Sequence, residues 1–378
     1  MKVQNKPQSE KAAKNKLKIK GGITNHVKKP FCTDLGSYPG AGHCCLWKLC
    51  PGEWWSSRSE LGILQSLLQR ECRKTPDMVL RLSEDQSPDF PTTQGCQKFA
   101  DLVYERTNGR IKIEVYDSGT LGGTTAVAEQ LQYGAIDLLR GGAAPLAQFS
   151  PTLNVFSLPF LFTSTENDYK CLDSELAQDI LKMEDSEGLI GLGYYTGGAR
   201  CFYSSRPITC LADLAGMDIR VQESEIMMGM IDALGANPTP TAYAEVYSAL
   251  QTGVVDAAEN GIGAYVSTAH CEVAPYLMLD NHVFTPDMLV MSRQVWDRLS
   301  PEDQQIFREA AYDSVVYERE VYEAYEAEAL QKALDSGVTV YELTDDQLQE
   351  FIDATAGMPE KYCSQYIDIV NQFKAMQE

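Results

Sequence analysis

The sequence predicts an α/β protein with two lobes, a ligand cleft between them and long helices at its C-terminal end. Three observations support this prediction. Strands and amphipathic helices alternate from residue 78 onward, an order that builds a parallel sheet with helices on both faces. A second series of strands begins near residue 189, and 378 residues are enough for two cores. Because such sheets bind ligands at their strand ends, the cleft is expected there.

The first series predicts lobe 1, which extends from about residue 77 to 195 and takes up later returning segments. Its first two strands alternate apolar and polar residues, and its third strand is short and apolar. Its helices carry apolar residues at helical spacing. Asn108-Gly109 ends the first helix. The predicted strands are 78–82, 111–115 and 135–139, and the predicted helices are 92–107 and 126–133.

The second series predicts lobe 2, at about residues 196–290, followed by C-terminal helices over about 300–378. Ser300-Pro301-Glu302-Asp303 combines an N-cap, a proline at the first helical position and an acidic first turn, which predicts a helix that runs to Leu334. The predicted strands of this series are 189–195, 200–204, 218–221, 254–258, 276–279 and 288–292, and its helices are 224–234 and 243–252.

Charge divides the chain near the point where this pattern begins. Residues 1–75 contain 14 Lys and Arg against 5 Asp and Glu, whereas the remainder contains 18 against 48. An acidic body has little with which to neutralise a phosphate backbone, which argues against nucleic acid as a partner. No run of about 18 apolar residues occurs, so the sequence predicts no membrane span.

Residues 1–76 show no helical or strand period and are assigned to a separate N-terminal segment, expected to be disordered. If the codons are read one base later, His26-Val27-Lys28 can give a methionine and a basic residue, and residues 35–42 an apolar run. Cys44-Cys45-Leu46-Trp47 can then give Ala/Val-Ala/Val-Cys-Gly. This order is typical of a lipoprotein signal followed by a linker, so one hypothesis is a frameshifted signal sequence. The alternative is a genuine basic tail.

Nucleophilic catalysis lacks a base in the acidic body. That part of the chain contains only His270 and His282, and neither stands in a local Ser-His or Cys-His arrangement. Gly191-Leu-Gly193 lacks the third glycine of a dinucleotide-binding loop. The sequence therefore predicts no catalytic residue, no cofactor and no metal site. Cys201 and Cys210 could form a disulfide, which the sequence leaves open.

Two arginines stand out against the acidic background. Arg200 and Arg220 occupy apolar, strand-like settings in which an unpaired cation is costly, so each needs an acceptor. A guanidinium matches a carboxylate bidentately, and such a charge-assisted bond is worth about 1.5–3 kcal/mol. From the residues alone, the acceptor is either an internal Asp or Glu or the carboxylate of a ligand.

Short motifs follow one another in a fixed order from about residue 77 to beyond 310. They are Phe99-Ala-Asp-Leu-Val103 with Thr107-Asn-Gly109, Gly119-Thr-Leu-Gly122, Gln130-Leu-Gln-Tyr-Gly134, Leu158-Pro-Phe-Leu161, Asp213-Leu-Ala-Gly-Met-Asp-Ile-Arg-Val221, Tyr243-Ala-Glu-Val-Tyr-Ser-Ala-Leu-Gln251, Glu259-Asn260, and Asn281-His282 before Leu289-Val-Met-Ser292. As a collinear set they resemble the DctP-type solute-binding proteins of TRAP (tripartite ATP-independent periplasmic) transporters. The resemblance implies a periplasmic-binding-protein-like fold.

The resemblance also implies a function and a site. The function is that of an extracytoplasmic receptor, in the periplasm or at the outer face of the cytoplasmic membrane, which delivers a small organic acid such as a dicarboxylate to integral membrane subunits. Arg220 would form the salt bridge to the ligand carboxylate, Arg200 and Asn260 would support it, and Tyr243 would line the pocket. The loop from Glu84 to Gln86 would close over the ligand. A restored N-terminal signal would add a lipid anchor.

This chain departs from the family pattern in ways that concern the ligand. Gln222 and Gly261 stand where proline is common, which affects the shape of the distal pocket. Glu84 and Asp85 would repel a dianion if they faced the cleft, which favours one carboxylate with hydroxyl or amino groups over a C4 dicarboxylate. Two other functions remain as alternatives at this point: a ligand sensor that feeds a signalling partner, and an enzyme with a base in the cleft.

Overall fold

The structure is a computed structural model that describes residues 75–377. The predictions for residues 1–74, including the shifted signal sequence, lie outside these described residues. The strands are β1 (Met78–Ser83), β2 (Ile111–Tyr116), β3 (Leu138–Gly142), β4 (Leu189–Tyr195), β5 (Arg200–Ser204), β6 (Asp218–Val221), β7 (Asn237–Pro240), β8 (Ala257–Gly261), β9 (Tyr276–Val283), β10 (Asp287–Ser292) and β11 (Thr339–Glu342).

Helices cover both sheets and make up the C-terminal part. They are α1 (Pro91–Arg106), α2 (Thr124–Gln132), α3 (Ala143–Leu146), α4 (Thr165–Leu172), α5 (Glu175–Leu181), α6 (Glu225–Ala233), α7 (Val246–Thr252), α8 (Ile262–Ser267), α9 (His270–Val273), α10 (Arg293–Trp296), α11 (Pro301–Asp335), α12 (Asp345–Thr355), α13 (Met358–Tyr362) and α14 (Ile367–Met376). Among the described residues, no helix is both long and apolar enough to cross a membrane.

Two sheets divide the strands between two lobes. Lobe 1 has the order β2-β1-β3-β10-β4, and lobe 2 has the order β11-β9-β5-β8-β6-β7. β1 pairs in parallel with β2 and β3, as the sequence predicts, but β10 runs antiparallel between β3 and β4. The prediction of a parallel sheet, which rests on β1, β2 and β3, is therefore confirmed for these strands, and β10 adds an antiparallel strand to them. β10 is a returning segment that enters lobe 1 at the cleft, where β3 ends, so it must run in the opposite direction.

The long helix α11 packs against both lobes. Ser300 caps it by accepting a hydrogen bond from the backbone N–H of Asp303 at 3.1 Å, as the Ser-Pro-Glu-Asp pattern predicts. On lobe 1 it contacts α1 and β4, where the rings of Phe99 and Phe307 meet edge to face at 5.7 Å, and on lobe 2 it contacts α8. The helix therefore joins the two cores.

Two strands begin three residues later than the sequence predicts, for the same physical reason. Gly134 lies two residues after the end of α2 and Gly253 one residue after the end of α7, and they adopt positive φ angles of 65° and 72°. The next backbone N–H groups, those of Ala135 and Val254, bond back to Gln130 and Ala249 in those helices. The residues directly after each glycine belong to this helix-terminating motif, so they do not pair in the following strand. The two strands also end three residues later than predicted, at Gly142 and Gly261.

The six described cysteines are free thiols, so Cys201 and Cys210 do not form a disulfide. Cys201 is buried in β5, and its thiol lies 3.2 Å from the side-chain oxygen of Asn281. Burial raises the pKa of Cys201, so the group stays a protonated thiol, which is a poor nucleophile.

Candidate ligand-binding site

The ends of strands from both sheets meet in the cleft between the lobes. A cavity of about 70 Å³ lies there, and residues from both lobes line it. Five of the predicted site residues are brought together in its wall, namely Arg220, Arg200, Asn260, Tyr243 and Gln86. The sixth, Glu84, is not among the lining residues.

Arg220 is a buried cation, and no carboxylate of the described residues pairs with it. It lies on β6 with 2% of its surface exposed, and its Nε and Nη2 donate to the backbone oxygen of Thr241 at 3.0 and 2.7 Å. Within residues 75–377, no carboxylate oxygen lies within 4.0 Å of the guanidinium, and Nη1 makes no hydrogen bond. Burial lowers the pKa of Arg220 from its ordinary value. The group is therefore well placed to receive an anion from the cavity.

Arg200 has the internal partner that Arg220 lacks. Its Nε and Nη2 donate to the two carboxylate oxygens of Glu259 at 2.5 and 3.0 Å, and Nη1 donates to Asn260 Oδ1 at 3.0 Å. Asn260 Oδ1 also accepts from the backbone N–H of Gly261 at 2.8 Å. Of the two alternatives that the sequence left open, an internal acid therefore holds Arg200, whereas Arg220 has no such acid within residues 75–377.

His282 lies behind Arg200 and completes a buried charge network. Its Nδ1 lies 2.7 Å from Asp280, its Nε2 lies 3.5 Å from Glu259, and its ring stacks on Phe202 at 4.3 Å. Burial alone would lower the pKa of His282, but Asp280 and Glu259 raise it to about 9. Burial alone would raise the pKa of Glu259, but Arg200 and His282 lower it to about 2. The network therefore holds Arg200 in one position.

This network predicts a pH dependence of stability. Because the folded pKa of His282, about 9, lies above its ordinary value of 6.5, its contribution is fully present below pH 6.5 and is lost as the pH rises through 9. We expect His282→Gln to reduce the loss of unfolding free energy between pH 6.5 and 9.5 by on the order of 2 kcal/mol. Urea unfolding of the wild-type protein and of His282→Gln at the two pH values measures this difference. Equal losses of unfolding free energy in both proteins would contradict the prediction.

Glu84 was predicted to contact the ligand, but the structure places it beneath the cavity. It is fully buried, and both of its carboxylate oxygens accept from Arg140, from Nε at 2.7 Å and from Nη2. Asp85 and Asp287 also pair with Arg140. The expected repulsion of an anion by Glu84 and Asp85 is therefore partly offset by this arginine, which the sequence interpretation did not include.

Side chains also bond across the cavity from one lobe to the other. Tyr243 of lobe 2 donates its hydroxyl to Gln86 Oε1 of lobe 1 at 2.9 Å. Thr125 donates to Glu223 Oε2 at 3.0 Å, and the side-chain amide of Gln148 donates to the backbone oxygen of Glu223 at 2.7 Å. These three bonds hold the lobes together over the cleft, next to the loop that was predicted to close it.

Sequence reasoning missed Arg140 and Asp287, although a signal existed for the first. Arg140 follows two buried leucines, so it satisfies the criterion that selected Arg200 and Arg220, a cation in an apolar strand. It was overlooked because the strand was expected to end at residue 139. Asp287 opens β10 and faces Gly142 across the strand pair, a position that depends on the antiparallel return.

Comparisons with known proteins point to one family. A family model described as "Bacterial extracellular solute-binding protein, family 7" matches residues 82–365. A solute-binding protein of Chromohalobacter salexigens is 36% identical over 68% of this chain and 77% of its own length.

Two solved structures share the fold over nearly their whole length. A TRAP periplasmic solute-binding protein of a Bradyrhizobium species, in complex with galacturonate, is 37% identical with a TM-score of 0.76, covering 78% of this chain and 99% of that one. Another, from Pseudomonas putida with bound D-glucuronate, is 32% identical with a TM-score of 0.77, covering 79% of this chain and 98% of that one.

Proposed function

The chain belongs to the bacterial extracellular solute-binding proteins of family 7, the DctP type that serves TRAP transporters, and we propose that its ligand is a sugar acid with one carboxylate. Its function is that of an extracytoplasmic receptor for a small organic acid. Uronates are the ligands of the two solved relatives described above, which supports the choice of a sugar acid. Binding alone fulfils this function, so we infer that the chain catalyses no reaction.

The observation that carries this proposal is the buried guanidinium of Arg220. A buried cation without an internal carboxylate is costly unless a ligand supplies one. The cavity in front of Arg220 is also lined by Asn260 and Tyr243, whose side chains can bond to the hydroxyl groups or the ring of a sugar acid. In this arrangement Arg220 binds the ligand carboxylate, and Arg200 positions Asn260 beside it.

Gln86 and Tyr243 have a second role in the proposal. Their hydrogen bond joins the lobes at the cavity wall, so both side chains would enclose the ligand after it binds. Glu84 would act only through Arg140, because its carboxylate is fully buried and does not line the cavity.

A panel of four compounds tests the ligand class by thermal shift of the purified chain. A ligand that binds only the folded state at 100 times its Kd stabilises it by about 2.7 kcal/mol. We expect D-galacturonate or D-glucuronate to raise the melting temperature. D-galactose lacks the carboxylate and succinate lacks the hydroxyl groups, so neither should do so at the same concentration. A protein stabilised by D-galactose or by succinate, or by neither uronate, would contradict the proposal.

We further propose that integral membrane subunits of a TRAP transporter receive the ligand, and that a lipid anchor holds the receptor at the membrane. The anchor rests on the shifted reading of residues 1–75, which gives a lipobox-like Ala/Val-Ala/Val-Cys-Gly. Sequencing of the locus tests it, since codons incompatible with the shifted reading would remove the anchor and leave the receptor function untouched.

A further inference from the structure

Lobe 1 contributes a separate cluster of charged side chains to the cleft. The proposed bond between Arg220 and a ligand carboxylate does not involve this cluster. Arg140, with 3% of its surface exposed, lies in the middle of β3 and pairs with three carboxylates, those of Glu84, Asp85 and Asp287. Three carboxylates against one guanidinium leave an excess of negative charge. Asp85 and Asp287 line the cavity, whereas Glu84 does not.

Both aspartates keep acceptor capacity toward the cavity. Asp287 Oδ2 lies 3.1 Å from Arg140 Nη1, while Asp287 Oδ1 has no hydrogen-bond partner among the described residues. Asp85 Oδ1 accepts from Arg140, and its Oδ2 has only a long 3.4 Å contact with the Thr124 hydroxyl. Since an ionised carboxylate only accepts hydrogen bonds, a ligand must offer donors here. Hydroxyl groups fit this requirement, and a second carboxylate does not.

Two further atoms in the cavity wall indicate a ligand with several hydroxyl groups. The Thr285 hydroxyl and Gln222 Oε1 are buried and have no hydrogen-bond partner within the described part of the chain. Buried polar atoms are rarely left unpaired, because each lost hydrogen bond is costly. A ligand that carries hydroxyl groups along its length can satisfy both atoms together with the aspartates.

We propose that Asp85 and Asp287, held by Arg140, form a hydroxyl-binding subsite that also rejects a second carboxylate at the far end of the ligand. This inference rests on the proposed function, because it assumes that Arg220 holds the first carboxylate. The two lobes thereby divide recognition, with the cation on lobe 2 and the acceptors on lobe 1. Burial and the neighbouring Asp85 raise the pKa of Asp287, whereas Arg140 lowers it and so favours its ionised form.

D-Galactonate and galactarate test the subsite, since both are open-chain six-carbon acids and only galactarate carries a carboxylate at both ends. We expect the wild-type protein to bind galactonate at least about 100-fold more tightly in isothermal titration calorimetry, because like charges in a binding site repel strongly. In Asp287→Asn, which keeps the shape and one acceptor but removes the charge, the ratio of the two Kd values should narrow at least about tenfold.

Asp297→Asn is the matched control, because it makes the same charge change at an exposed residue shortly after β10. It should leave the ratio unchanged. Equal binding of both acids by the wild-type protein, or an unaltered ratio in Asp287→Asn, would overturn the subsite and leave the proposed function standing. If the wild-type protein binds no sugar acid, the proposed function fails instead. Asp85→Asn, with the same expected narrowing, replaces Asp287→Asn if that variant does not fold.

Discussion

Replacement of Arg220 by alanine weakens the binding of D-galacturonate by about 100-fold or more, because it removes the charge partner of a buried carboxylate. The folded protein without ligand is expected to melt near the wild-type temperature. Among the described residues, the guanidinium of Arg220 donates only to the backbone oxygen of Thr241 and has no carboxylate partner, so its removal leaves no buried carboxylate unpaired. Titration calorimetry measures the first effect and a thermal melt the second.

Arg298→Ala provides the control for this variant, since Arg298 is exposed and its side chain bonds to none of the described residues. It removes the same charge from the protein without touching the cavity, and we expect wild-type affinity. A Kd of Arg220→Ala within twofold of the wild-type value would refute the assignment of Arg220 as the carboxylate anchor.

Replacement of Arg200 by methionine is expected to lower the stability of the protein without ligand, which replacement of Arg220 by alanine leaves almost unchanged. It leaves the fully buried carboxylate of Glu259 without the two hydrogen bonds that now pair it, at 2.5 and 3.0 Å. Breaking a buried ion pair from one side costs about 3 kcal/mol or more. The loss should appear in the urea unfolding of the protein without any ligand, where Arg220→Ala shows almost none.

The double variant Arg200→Met/Glu259→Gln distinguishes two contributions to the lost stability, the unpaired buried charge and the lost packing. With glutamine at position 259 no unpaired carboxylate remains, so we expect most of the lost stability to return. If the single variant is as stable as the wild-type protein, or the double variant is no more stable than the single one, Arg200 does not depend on Glu259 in the way that the structure indicates.

Sequence alone predicted the elements in which local pattern and local chemistry agree. β4, β5 and β6 have the predicted limits, and α11 ends one residue after the predicted Leu334. β7 and β11 were missed because both lie at the edges of the lobe 2 sheet, where strands are short, and β7 contains Pro238 and Pro240.

The sequence could not predict that Arg200 pairs with an internal carboxylate and Arg220 does not pair with one among the described residues. Arg200 and Arg220 occupy similar local settings, and their difference depends on which strands pair. β5 lies beside β8 in antiparallel register, with Phe202 opposite Glu259, which brings the Glu259 carboxylate to Arg200. Such pairings join residues about 60 positions apart, and no local pattern encodes them.

The hydrogen bonds that cross the cleft have a kinetic consequence. A ligand enclosed by both lobes can leave only after Tyr243 separates from Gln86 and Thr125 separates from Glu223. Its dissociation rate constant therefore cannot exceed the rate of lobe opening, a motion that in proteins takes on the order of microseconds to milliseconds. We therefore expect Arg220 to determine the affinity for the ligand, and the side chains at the rim to limit the rate at which the ligand leaves.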